Sequence, residues 1–163
     1  MAQSNDDKRR ILQTLFPKAV LKALTPEALF AVPAGLAVDG MVMIHALPFR
    51  VGRESRVTVI DGRIHRIERP RTTDDKGIND LYLMDVGELL QISREHFCIE
   101  ATADGGFRVI DRGSKCGLTV AGQRIGAHSG VGSAPLHDGD VIGIGTPATP
   151  YQFVFITGFD AAG

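Results

Sequence analysis

The chain has 163 residues, 44% of them apolar, and a formal charge of −1. That length fits one ordinary domain with an appendage, and the apolar share is enough to fill a core, so disorder is not the default expectation. Near-neutrality argues against a protein built to coat nucleic acid, and any affinity for phosphate has to come from a local cluster of cations.

Lys8, Arg9 and Arg10 imitate a charged leader, but Lys18 and Lys22 interrupt the apolar residues that follow, so the start does not read as an export signal. No run reaches the ~18–20 apolar residues of a membrane helix, and a cytoplasmic location is expected. Residues 6–24 repeat with helical period: Ile11, Leu12, Leu15, Phe16, Ala19, Val20, Ala23 and Leu24 share one face. Pro17 predicts a kink or a second start within that pattern. Thr25-Pro26-Glu27 reads as a cap with proline at the first helical position, and Pro33 and Gly35 end the short helix it opens. The apolar stripe either packs on its own domain or serves as a docking or dimerising helix.

From residue 41 onward short β-rich runs alternate with turn signals, the pattern of an all-β sandwich. The candidate strands are Met41–Ala46, Phe49–Gly52, Leu81–Met84, Phe97–Ala101, Phe107–Asp111, Leu118–Ala121, Val141–Ile144 and Gln152–Thr157. Gly105-Gly106 and Asp138-Gly139 mark tight turns, and Gly143 and Gly145 a further close one. Residues 57–67 read as a hairpin turning at Asp61-Gly62. The two cysteines, Cys98 and Cys116, suggest a reducing compartment and not a disulfide framework. Cys98, inside Phe97-Cys98-Ile99, is expected to be a buried small hydrophobe.

Five ordered motifs carry chemistry: Gly52-Arg53, Asn79-Asp80, Ser93-Arg94-Glu95-His96, Asp111 to Leu118, and Leu136 to Ile142. Their order and spacing resemble the forkhead-associated (FHA) domain, a module that binds phosphothreonine peptides. The resemblance spans residues 41–158 and implies a mostly β, FHA-type sandwich with an N-terminal helical extension over 1–40 and a tail at 159–163. The usual family spacing between the first two motifs is shorter, which marks residues 54–77 as an inserted basic hairpin and loop.

A phosphothreonine carries about −1.5 to −2 charges and three strong acceptor oxygens. Reading it takes a guanidinium fork plus hydroxyl and amide donors, held on loops at one end of a rigid sandwich. The resemblance assigns the grip to Arg53 and a hydroxyl donation to Ser93; Lys115, next to Cys116, is a further cation expected to add an ammonium to the phosphate site. Arg94 either contacts the ligand beside the phosphate or is a solvated loop arginine. Ser114 and Cys116 are expected to face the peptide; Cys116 occupies the place of a family asparagine, whose paired amide bonds a thiol cannot copy. Cys116 beside Lys115 also invites a reading as a redox-sensitive thiol. Gly52, Asn79, His96 and Gly117 are expected to support the site.

Ser93 and His96 do not form a nucleophile and base, since i and i+3 at a strand start project to opposite faces and no orienting carboxylate accompanies them. No enzyme, cofactor or metal is expected: nucleotide loops are absent and the five histidines lack ligand spacing. The partner implied is a phosphothreonine-containing protein, with a Ser/Thr kinase as its modifier. The competing reading is a phospho-independent FHA-fold scaffold that associates through its N-terminal helix. Arg56, Arg63, Arg66, Arg69 and Arg71 make the insertion cationic, and Thr72-Thr73-Asp74-Asp75 within it offers a threonine whose phosphorylated form could bind the chain's own Arg53 and Ser93 and block outside ligands.

Overall fold

The computed structural model describes residues 2–55, 57–66 and 77–159. Arg56, Arg69, Arg71, Thr72 and Thr73 lie outside the described residues. In chain order the elements are α1 (Ala2–Leu15), β1 (Ala19–Ala23), α2 (Pro26–Ala31), β2 (Ala37–Val38), β3 (Met41–Ile44), β4 (Phe49–Arg53), β5 (Val57–Ile60) and β6 (Arg63–Arg66). They continue with β7 (Leu81–Leu83), β8 (Phe97–Ala101), β9 (Phe107–Asp111), β10 (Leu118–Val120), β11 (Gln123–Ile125), β12 (Ser133–Leu136), β13 (Val141–Ile144) and β14 (Gln152–Ile156).

The strands form a seven-stranded sheet, β11-β10-β13-β14-β1-β3-β2, a five-stranded sheet, β12-β9-β8-β4-β7, and the separate pair β5-β6. One core, holding Leu21, Ile44, Phe97, Phe153 and Phe155 among others, joins the two large sheets. Alternation sets it: in β14, Phe153 and Phe155 point inward while Gln152, Val154 and Ile156 are half-exposed. Phe155 meets Phe107 edge-on, with centroids 5.2 Å apart, a geometry that adds about 0.5–1.5 kcal/mol to area burial.

The helical stripe expected over residues 6–24 stops at Leu15. Proline disfavours helix at the residue before it, and Pro17 ends α1. Ala19–Ala23 is then a strand lying between β14 and β3, with Val20 opposite both Ile156 and Met43. A short apolar run suits a buried strand as well as a helix, and here pairing on both edges decides. The large sheet therefore draws two strands, β1 and β2, from residues read as the extension. The second helix forms where its signals lie: Thr25 Oγ1 accepts from Ala28 N at 3.1 Å and Pro26 opens the helix.

Cys98 is half-exposed, not buried. Its neighbours Phe97 and Ile99 take the core face of β8, and strand alternation turns the thiol outward, opposite Arg50 and Ile110. Gly143 lies within β13, where the Gln152 side chain crosses it, rather than in a turn. The hairpin at Asp61-Gly62 forms with φ of 51° and 74°, the positive pair that a two-residue turn of twisted strands requires. Among the described residues no helix is long and apolar enough to cross a membrane.

Candidate functional site

Three loops gather at one end of the sandwich, because β4, β8 and β9 are neighbours in the smaller sheet. β4 ends at Arg53, the loop before β8 holds Ser93 to His96, and the loop after β9 holds Arg112 to Gly117. Backbone bonds interlock them: Arg53 N–H donates to Ser93 O at 2.9 Å, and Arg112 N–H to His96 O at 2.8 Å.

Arg53, the last residue of β4, is only 9% exposed. Its Nε donates to Ile92 O at 2.9 Å and its Nη1 to Glu54 O at 3.3 Å, so two carbonyls orient the fork. Ser93 is half-buried, and its Oγ accepts the backbone N–H of Lys115 at 3.0 Å. A hydroxyl that accepts in this way still carries its own proton as a donor. The Lys115 side chain is exposed. The structure thus joins Arg53, Ser93 and the Lys115 backbone at one rim, with the Lys115 side chain on its exposed side.

Gly52 is required by space. A Cβ there would stand 1.9 Å from Arg94 O and 2.6 Å from Asn79 Nδ2. That closeness lets Asn79 Nδ2 donate to Arg94 O at 2.7 Å, while its Oδ1 accepts from Arg112 Nη1 at 2.5 Å. Arg112 also donates to Ile78 O at 2.9 Å and pairs with Glu95 at 3.2 Å. Asp80 grips Arg50 side-on, with Nε–Oδ2 at 3.0 Å and Nη2–Oδ1 at 3.2 Å. That hydrogen-bonded guanidinium holds the Asp80 carboxyl below its usual range.

His96 is fully buried. Its Nδ1 accepts from Ser93 N–H at 2.9 Å, which leaves Nε2 to donate to Gly117 O at 2.7 Å. Both bonds together demand the neutral ring protonated at Nε2. Burial pulls its pKa below the ordinary 6.5, against the opposing pull of the Gly117 carbonyl and Asp111. The ring clamps the Ser93 loop to the Gly117 loop. With no carboxylate hydrogen-bonded to the ring, and with its acceptor nitrogen taken by a backbone amide, it is not arranged as a base toward Ser93 Oγ.

Ser114 turns inward: its hydroxyl donates to Asp111 Oδ1 and accepts Gly117 N–H at 3.0 Å. Gly113 and Ser114 amides cap the other Asp111 oxygen at 2.9 and 3.1 Å. The Ser114 side chain therefore builds the loop, and what it can present outward is backbone. Gly117 has φ of 68°, and a Cβ on it would lie 2.6 Å from Ile125 O. Cys116 is half-buried, and its thiol lies 3.6 Å from Leu90 O, so it links the third loop to the second. Arg94 is half-exposed beside Ser93.

Three supports escaped the sequence reading. Asp85 accepts from Gly87, Gln91 and Ile92 amides at 3.0, 2.7 and 3.0 Å and from Tyr151 OH at 2.7 Å, and so folds the loop that delivers Ser93. Burial and the Asp85 carboxylate push the Tyr151 phenol well above its ordinary range. Arg124 donates to Gly145 O and Cys116 O at 2.7 Å each and to Thr119 Oγ1 at 3.0 Å, bracing the third loop from behind. Gln91 Oε1 accepts from Thr146 N at 2.8 Å. Asp85-Val86-Gly87 carries an Asx-turn signal, whereas nothing local to Tyr151 or Arg124 announces its partners.

A β-sandwich with one rim of interlocked loops is the architecture of a binding module. The chain belongs to the FHA domain family: the family's sequence profile matches residues 49–145, more than half of its length. Among solved structures, the FHA domain of an Arabidopsis thaliana hypothetical protein is 21% identical, covering 91% of this chain and 92% of that one, with a TM-score of 0.51. An engineered FHA domain solved with a Myc-pTBD peptide is 16% identical over 87% of this chain and 92% of that one, with a TM-score of 0.52. The N-terminal FHA domain of S. cerevisiae Rad53p, solved with a phosphothreonine peptide, is 19% identical over 63% of this chain and 90% of that one, with a TM-score of 0.38. No match is found among curated proteins.

Proposed function

We propose that the chain is a phosphothreonine-dependent adaptor that recruits proteins modified by a Ser/Thr kinase in the cytoplasm. One observation supports it most: a buried, carbonyl-oriented Arg53 stands on the same rim as the Ser93 hydroxyl, which is itself held by Lys115 N–H at 3.0 Å. A dianionic phosphate suits a planar cation beside a hydroxyl donor. Arg53 takes two phosphate oxygens, Ser93 Oγ–H donates to one, and Lys115 adds charge from the exposed side. Family membership supports the ligand class, since resemblance to the FHA domain implies a phosphothreonine peptide as ligand. Arg94 and the backbone around Ser114 and Cys116 meet the peptide.

Fluorescence polarisation of a degenerate phosphothreonine peptide pool, beside unphosphorylated and phosphoserine pools, tests this on wild type and Arg53→Ala. Micromolar binding, about 8 kcal/mol, seen with phosphothreonine and lost in the variant, is expected. Binding that ignores phosphorylation would overturn it.

A second property has its own observation. Every residue of α1 whose side chain is described is exposed, including Ile11, Leu12 and Leu15 (67%), so an apolar helix face lies uncovered on the monomer. The chain self-associates through this helix.

A further inference from the structure

The self-association just proposed leaves open what covers α1, and the body of the domain carries a matching surface. A groove of about 350 Å³ runs between the β1–α2 junction and the β2–β3 turn, lined by Leu24, Thr25, Pro26, Leu29, Asp39 and Gly40. Leu24 and Leu29 are about half exposed on its walls. Gly40, with φ of 76°, is part of its lining, and a Cβ there would be in ordinary contact with Leu29 Cδ1 at 3.5 Å. Phe30 and Val38, the chain neighbours of the lining residues Leu29 and Asp39, are exposed as well. Scattered exposed leucines are ordinary, but an apolar groove with an apolar surround marks a docking site.

Charge indicates the occupant. Asp39 lines the groove and Glu27, exposed in the first turn of α2, stands next to its lining residue Pro26, so the surface carries two carboxylates. Lys22 is the cation on the adjoining strand. A partner fitting this surface has an apolar helical stripe with cations one turn away. α1 has that chemistry: Ile11, Leu12, Leu15 and Phe16 follow directly on Lys8, Arg9 and Arg10, with Asp6 and Asp7 available to Lys22.

The chain's own helix cannot supply that contact. Phe16 N–H still bonds Leu12 O at 2.9 Å, and Lys18 N–H is pinned to Ile44 O at 2.7 Å, so only Pro17 separates helix from sheet. Phe16 therefore stays within ~7 Å of Lys18. Leu24, bonded through its N–H to Gln152 O at 2.9 Å, lies at the far end of β1, six residues or ~20 Å along. Folded back on its own domain, a helix rising ~1.5 Å per residue would bring its polar first turns to the groove and leave the leucines short of it.

We propose that α1 of one copy docks its Ile11–Phe16 face in the Leu24–Leu29 groove of a second copy. The exchange is reciprocal, giving a two-fold dimer with two identical helix-in-groove contacts. Each dimer then presents two phosphate-binding rims, which favours multiply phosphorylated partners through effective concentration.

The test uses full-length chain in three forms: wild type, Leu15→Asp with the groove intact, and Leu29→Asp with the helix intact. Both substituted side chains are exposed, and circular dichroism with a urea melt reports that each variant is folded whether or not it binds phosphopeptide. Sedimentation across a concentration series is expected to give twice the chain mass for wild type and a monomer for each variant alone. Fluorescently labelled Leu29→Asp is expected to bind unlabelled Leu15→Asp, which joins the one intact helix to the one intact groove, and not to bind itself. If Leu15→Asp dissociates the dimer while Leu29→Asp leaves it whole, self-association through α1 stands and the groove assignment falls. Failure of the two variants to bind each other overturns the groove contact as well. A wild type that stays monomeric overturns both.

Discussion

Gly52→Ala makes the most exacting structural test, because one methyl group should disturb the whole rim. Gly52 has no positive φ to lose, so the cost is steric. The added Cβ would stand 1.9 Å from Arg94 O, a backbone atom with no rotamer to escape into, and 2.6 Å from Asn79 Nδ2. Relief requires the Arg94 backbone to move by more than an ångström, which breaks the 2.7 Å Asn79–Arg94 bond. Overpacking of this kind costs about 1–3 kcal/mol and the lost hydrogen bond about 1 more. A destabilisation of about 2–4 kcal/mol follows, or a fall in Tm of roughly 4–16 °C for a chain this size. Urea melts read the stability, and phosphopeptide polarisation reads the displaced Ser93. Gly113→Ala is the control: φ is 83° with nothing within 4 Å, so only left-handed strain of ~1–2 kcal/mol applies. Equal melts for the two variants would refute the steric argument.

His96 carries the pH prediction. Its folded pKa lies below the unfolded 6.5, so below that pH the unfolded chain binds a proton that the folded one refuses. Stability is fully present above pH 6.5 and falls as pH drops toward the folded pKa, by at most about 1.4 kcal/mol per unit; a ring ¹⁵N spectrum showing ordinary titration near 6.5 would contradict it. Tyr151→Phe removes a hydrogen bond to a buried carboxylate and should cost about 1.5–3 kcal/mol, with faster amide exchange at Gln91 and Ile92 as the local readout. Cys116→Asn places a carboxamide where the thiol now faces Leu90 O, and should tighten peptide binding by about 0.5–1.5 kcal/mol, measured by calorimetry; unchanged affinity would show that the side chain at position 116 does not touch the peptide.

The parts of the rim that could be read from the sequence are those carried by short local motifs. Gly52-Arg53, Ser93 to His96 and Asp111 to Gly117 each flank a strand end, and adjacency of β4, β8 and β9 brings them together. Asp85 and Tyr151 were invisible because they meet across 66 residues of chain, and Arg124 because its acceptors are backbone carbonyls, which no side chain announces. In the fold, β1 was misread because Ala19 to Leu24 satisfies both a helical and a strand period, and only the neighbours β3 and β14 distinguish them. Strand β12 escaped for a different reason. Pro135 argues against a central strand, yet β12 is the edge of its sheet, where a missing N–H costs nothing. Cys98 shows the limit of composition: an apolar triplet says a strand is half-buried, while register decides which residue faces out.

The measurement closest to the central claim is an amide NMR titration of ¹⁵N-labelled full-length chain with a phosphothreonine peptide. The Lys115 amide, bonded to Ser93 Oγ, and the Arg53 side-chain Nε–H should shift first and saturate together, with Ser93→Ala abolishing the Lys115 response. Shifts gathered instead on α1 and the Leu24–Leu29 groove, with the three-loop rim silent, would contradict the account.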